Sequence, residues 1–235
     1  ATVNRFWSAS EGLFVDNLPW LGSEEQMRCS DRTLAMSVLF GLCPEAQTAA
    51  AVEALASVPP HMGLSYPANA CWRLWALAEA GRPDVALNDL RRRWATMESV
   101  KWNNTLQEDW HVQTDSWQQW SHCGVVPLYF MHMSVAGVRP LEPGFARCEI
   151  RPQLADLNEL ELVTHTPRGP IHFTSTGNRG DRTVALETPA SCQAELVVHR
   201  AEQLNLLAVE EPARSGSVRY LVPAGRRIKL RLRHT

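Results

Sequence analysis

The chain has 235 residues, enough for one large domain or two ordinary ones, and either could bury a substantial core. Hydrophobic residues make up 45%, charged residues 20%, and the formal net charge is −2, a balance that gives no long-range attraction for nucleic acid or an anionic membrane. No apolar run approaches the roughly 20 residues that cross a bilayer, so a soluble chain is expected; the start, A-T-V-N-R-F-W, lacks the basic-then-apolar order of a signal peptide and reads as the middle of a larger protein, and the compartment stays open, with the cytoplasm slightly favoured over secretion.

Residues Phe14 to Gly22 read as a loop that exposes Asp16 and Asn17. Ser23 and Gln26 make an S-x-x-Q capping box, from which a helix is expected to run to about Leu42. Pro44 suits the first turn of a second helix, Ala46 to Ser57, which Pro59-Pro60 ends. After the loop His61 to Pro67, a third helix carries Trp72, Leu74, Trp75 and Leu77 and stops at Gly81. Pro83 opens a fourth, through Trp94. The short break Gly81-Arg82-Pro83 predicts an αα-hairpin, and helical spacing puts Trp72, Trp75 and Trp94 in the core.

The stretch Trp102 to His122, W-N-N-T-L-Q-E-D-W-H-V-Q-T-D-S-W-Q-Q-W-S-H, breaks that periodicity and reads as a long ordered loop. It sets Trp102, Trp110, Trp117 and Trp120 beside Glu108, Asp109, Asp115, His111 and His122. Indole faces stack on the C–H faces of sugar rings, and acids read hydroxyls. A core has no use for so many groups that need partners, so the mixture points to a carbohydrate pocket. Tyr66, in the loop ahead of the third helix, is a candidate for the pocket wall. Val125 to Ala136 reads as a further buried helix, with Pro127 in its first turn.

All nine tryptophans lie at or before Trp120, and from Pro140 the period changes to two. Runs such as L-E-L-V-T-H-T, I-H-F-T-S-T and R-T-V-A-L-E-T, separated by turn signals, predict an antiparallel β-sandwich. Arg227, Lys229, Arg231 and Arg233 share one face of the last strand, which reads as a solvated, charge-protected strand, with a basic patch as the alternative. The domains are therefore expected at 1–137 and 138–235. The six cysteines are scattered without metal-ligand spacing and read as free thiols, and no metal or cofactor is expected.

Three segments, T-L-Q-E-D-W, then S-H, then V-A-G-V-R-P-L-E-P-G-F-A-R-C-E-I-R-P, resemble the C-terminal region of the glycoside hydrolase family 78 α-L-rhamnosidases. Members carry T-x-W-E-x-W, then Asn-His, then a G-I-R-P…P-G-F…I-x-P signature entering a C-terminal β-sandwich. The resemblance implies the second half of an (α/α)6 barrel, a six-hairpin toroid, followed by the sandwich. It implies inverting hydrolysis of terminal α-L-rhamnosides, or of a related sugar, with Glu108 as general base and His122 contacting the sugar. Trp102, Trp110, Trp117 and Tyr66 are the further substrate-binding candidates.

Gln107 stands where the family usually has Trp, and Ser121-His122 where it has Asn-His. The family's general acid lies on the first half of the barrel, to which nothing here corresponds. The chain thus reads as the C-terminal portion of such an enzyme, with the N-terminal part as its partner. The alternative is a non-catalytic carbohydrate-binding or structural fragment, or a pseudoenzyme in which Gln107 marks lost function.

Overall fold

The computed structural model describes residues 3–18, 28–113, 116–117, 125–199, 202–205 and 217–234. Two units succeed each other along the chain, Ala1–Phe130 and Met131–Thr235.

The first unit is helical. A two-residue pair, β1 (Trp7–Ser8) and β2 (Leu13–Phe14), precedes β3 (Cys29–Ser30), which lies parallel to β4 (Met62–Gly63). Helix α1 spans Asp31–Leu39, and Ser30 caps it by accepting the Thr33 amide proton at 3.3 Å. The expected start at Ser23 is therefore corrected. Strand β3 occupies the residues just before Asp31, and the working cap is Ser30, seven residues later; the proposed box at Ser23 and Gln26 lies outside the described residues. Helix α2 (Glu45–Ser57) follows Pro44, α3 spans Cys71–Glu79, and α4 (Pro83–Asp89) runs into a π-helical turn, Leu90–Trp94. Helix α1 packs on α2 and α3, and α3 on α2 and α4.

Leu34, Leu55, Leu74, Leu77 and Leu87 fill the space between these helices, each fully buried side chain of this kind contributing about 1.5–3 kcal/mol. Trp94 is buried with them, as expected. Trp72 and Trp75 are only half-buried; they stack at 6.1 Å, and Phe40 lies 6.3 Å from Trp72. Helical spacing put them on one stripe, but that stripe lies at the margin of the packed face.

A further helix, α5 (Glu98–Asn103), enters the stretch read as loop. It is capped from outside its own sequence and carries no long apolar stripe, so periodicity missed it. Helix α6 (Val126–Phe130) ends the unit. No described helix is long and apolar enough to cross a membrane.

The second unit opens on a π-helical turn, Met131–Val135. One sheet contains β5 (Val138–Pro140), β6 (Arg147–Ile150), β10 (Gln193–His199) and β12 (Ser217–Val222), in the order β12-β10-β6-β5. The other contains β7 (Glu159–Thr166), β8 (Gly169–Asn178), β9 (Asp181–Glu187), β11 (Glu202–Asn205) and β13 (Arg227–His234), in the order β11-β13-β9-β8-β7. Alternate residues form the sandwich core: Ile171 and Phe173 from β8, Val184 and Leu186 from β9, Leu230 and Leu232 from β13, and Cys148, Ile150, Leu196 and Val198 from the other sheet.

One pairing departs from the antiparallel expectation: β6 and β10 run parallel, Cys148 opposite Ala194 and Ile150 opposite Leu196. Parallel neighbours need a long connection, and β7, β8 and β9 supply it. The five described cysteines are free thiols. Gly137, at φ +72°, could take no side chain, because a Cβ would lie 1.9 Å from the Arg151 carbonyl oxygen.

Candidate functional site

The loop after α5 is built around Gln107, which is 1% exposed. Helix α5 has no side-chain cap of its own at Met97, and its first-turn amides need acceptors. The Gln107 Oε1 supplies one, accepting from the Ser99 amide at 3.1 Å. The other end of the carboxamide folds the following residues back: Nε2 donates to the carbonyls of Asp109 at 2.8 Å and Trp110 at 3.1 Å. One buried side chain thus fixes the backbone on either side of Glu108. At the other end of α5, Asn104 takes the left-handed conformation (φ 53°), and the Thr105 amide donates to the Ser99 carbonyl.

Trp110 carries the loop onto the helical core. Its Nε1 donates to the Ser65 carbonyl at 2.9 Å, its ring meets Trp94 edge-to-face at 5.2 Å, and the Arg93 guanidinium lies over it at 3.8 Å. Ser65 is held in turn by Asp31, 1% exposed, whose Oδ1 accepts from the Ser65 amide at 2.9 Å and its hydroxyl at 2.6 Å. Beneath lies a charged layer. Arg73 pairs with Asp89 at 2.9 Å and donates to the Leu55 carbonyl, while Arg93 reaches Asp89 at 3.8 Å. Burial pulls the Arg93 guanidinium below its ordinary pKa, and Asp89 works against that shift.

Glu108 is half-buried and makes no hydrogen bond or ion pair with another described residue. Tyr66, 45% exposed, adjoins the serine that anchors Trp110, which brings the Tyr66 loop and the Glu108 loop together. The remaining candidates do not join this group through any described contact. Trp102 is on α5 rather than in a loop, is 72% exposed, and donates from Nε1 to Glu98 one turn back at 2.8 Å. Trp117 is 75% exposed. His122, with Asp115 and Trp120, lies outside the described residues.

Four residues that organise the site were not singled out as such in the sequence: Gln107, Ser65, Asp31 and Arg93. Gln107 was visible only as a departure from the family's Trp. The Ser65–Trp110 and Asp31–Ser65 ties span 45 and 34 residues, and no local pattern announces them.

Residues 137–211 match the family model described as the bacterial alpha-L-rhamnosidase C-terminal domain. No curated protein matches the chain. Among solved structures, the chain resembles the α-L-rhamnosidase of Dictyoglumus thermophilum at 15% identity and TM-score 0.73, over 97% of this chain and 27% of that one. It resembles the Streptomyces avermitilis α-L-rhamnosidase, solved with L-rhamnose, at 19% identity and TM-score 0.67, over 86% and 21%. A family 78 rhamnosidase of Bacillus sp. GL1 gives 22% identity and TM-score 0.65, over 85% and 22%. The chain spans about a quarter of the length of these structures, and the family match and the fold agree with the C-terminal part of family 78 read from the sequence.

Proposed function

We propose that this chain, which carries the bacterial α-L-rhamnosidase C-terminal domain at residues 137–211, is the C-terminal part of an inverting glycoside hydrolase acting on terminal α-L-rhamnosides or a related sugar. Its helical unit is then the second half of an (α/α)6 barrel. The uncovered Phe40 and the half-buried Trp72–Trp75 stack support further chain packing against these helices.

Inversion needs a carboxylic acid to protonate the leaving oxygen and a carboxylate to take a proton from water on the opposite face, the two roughly 6.5–9.5 Å apart. Glu108 is the second of these. Water between Glu108 and the anomeric carbon loses its proton to the carboxylate as its oxygen attacks. The glycosidic bond breaks, and the acid, borne on the N-terminal part of the enzyme, protonates the departing oxygen. Trp110 and Tyr66 bound the sugar beside Glu108, and the exposed indoles Trp117 and Trp102, together with His122, are the further sugar-contacting residues of this reading.

The observation that carries this reading is the stapled loop: Gln107 fixes the backbone on both sides of a carboxylate that has no structural partner among the described residues. The test is Glu108→Gln in the full-length enzyme with an aryl α-L-rhamnoside. A general base contributes about 10²–10⁴-fold, so kcat is expected to fall by at least about a hundredfold with KM nearly unchanged. Turnover like wild type removes Glu108 from the mechanism and favours the non-catalytic, carbohydrate-binding reading.

A further inference from the structure

The outward face of the five-stranded sheet holds a concavity of about 440 Å³, remote in sequence from the Glu108 loop and lined by Thr174, Thr176, Thr183, Ala185, Arg227 and Lys229. Strand register explains it. Lys229 stands opposite Ala185, and Ala185 opposite Thr174; one step along, Arg231 stands opposite Thr183, and Thr183 opposite Thr176. Short side chains on β8 and β9 therefore lie beside Lys229 and Arg231 on β13, while Arg227, at the end of the row, stands opposite Glu187. Ala185 is only 9% exposed although its neighbours Val184 and Leu186 point into the core, so it forms the floor of a hollow.

Among the described residues the lining cations and hydroxyls have no partner. Arg231 is engaged by Asp181 in a two-pronged ion pair at one end of the hollow. Arg227, Lys229 and the hydroxyls of Thr174, Thr176 and Thr183 make no hydrogen bond or ion pair with a described residue. Two cations two residues apart on one strand project to the same side about 6.7 Å apart, a spacing that lets one carboxylate sit between them. Arginine can grip it through its fork of donors. The three hydroxyls both donate and accept, as sugar hydroxyls require. Among the described residues no aromatic one lines the hollow, so they offer a neutral sugar no stacking face there.

We infer that this hollow binds an acidic saccharide, with a uronate carboxylate between Arg227 and Lys229 and the ring hydroxyls against Thr174, Thr176 and Thr183. The site is independent of the Glu108 chemistry. It would hold an acidic glycan by its charge, apart from whatever the helical unit does.

The test is calorimetric titration of the 235-residue chain with trigalacturonate, maltotriose and sodium sulfate at matched ionic strength. Saturable binding of trigalacturonate alone is expected. It should weaken at least tenfold in the double variant Arg227→Gln with Lys229→Gln and several-fold in Thr183→Val, and stay unchanged in Glu108→Gln. Because the two cations are exposed, their replacement should leave the melting temperature near wild type, which the same samples check. Absence of trigalacturonate binding, or binding that the cation variants leave intact, overturns the site. Sulfate or maltotriose binding as tightly as trigalacturonate overturns the acidic-saccharide assignment. Loss of binding in Glu108→Gln places the ligand elsewhere and equally overturns it.

Discussion

Gln107 reaches back across eight residues to accept the Ser99 amide proton at 3.1 Å, so the side chain that caps helix α5 also holds the loop bearing Glu108. An indole here could not replace it, because Trp only donates and offers no acceptor for the Ser99 amide, whereas the carboxamide both accepts and donates in a buried place. Replacing Gln107 by Leu leaves the Ser99 amide and two loop carbonyls without their partner. The loss is expected to cost about 1–3 kcal/mol of stability. In the full-length enzyme it should lower kcat more than it raises KM. Denaturant unfolding of this chain and steady-state kinetics of the enzyme measure the two effects.

Asp31 acts one step further back. It holds Ser65, whose carbonyl receives the Trp110 indole. Asp31→Ala removes two hydrogen bonds to a buried carboxylate and should destabilise the first unit by about 3 kcal/mol. Asp31→Asn, which keeps one acceptor oxygen, should cost roughly half as much. Tryptophan fluorescence should report the loosened Trp110 in both variants, ahead of global unfolding.

Gly137 sits where a backbone at φ +72° passes against Arg151. A methyl group there collides with backbone that donates the Arg151 amide to the Gly137 carbonyl at 3.0 Å. Gly137→Ala is therefore expected to destabilise the second unit by about 2–4 kcal/mol, combining left-handed strain with the clash. Thermal unfolding of the variant checks this, and a melting temperature like wild type would mean the turn can move aside.

Acid should weaken the second unit in two steps. Burial, with a smaller contribution from His165, lowers the His132 pKa below its ordinary 6.5. The unfolded imidazole then binds a proton more readily than the folded one, so this contribution to stability is lost as pH falls below 6.5. Hydrogen bonding to Arg147, then Arg219, lowers the Glu195 pKa below its ordinary 4.5. Its contribution is present above that value and lost as pH falls through the folded value. Melting temperature against pH should fall less steeply below about pH 5 in Glu195→Gln than in wild type, and His132→Gln should flatten the curve between about pH 5 and 7. Parallel curves for all three proteins would contradict the assignment.

Much of the fold was legible because punctuation and period coincide. Pro44, Pro83 and Gly81 mark helix ends where the structure has them, and the two-residue period of Ile171, Phe173 and Ser175 is that of a half-buried strand. The parallel β6–β10 pair was hidden because alternation is the same whichever way a neighbour runs. Helix α5 was hidden because its support comes from Gln107 and from Glu98 contacts to Lys101 and Trp102, not from an apolar stripe. In the site, Glu108 stood out only through its motif. The supports at Ser65 and Asp31 act through contacts that no window of sequence contains.

The central claim is that Glu108 takes the proton from the hydrolytic water. It is tested most directly by adding sodium azide to Glu108→Ala in the full-length enzyme with an aryl α-L-rhamnoside. Azide needs no base to attack, so the account predicts little turnover without it and restored turnover with it, yielding the β-configured rhamnosyl azide. Hydrolysis by Glu108→Ala at the wild-type rate without azide would contradict the claim, as would an azide product that keeps the α configuration.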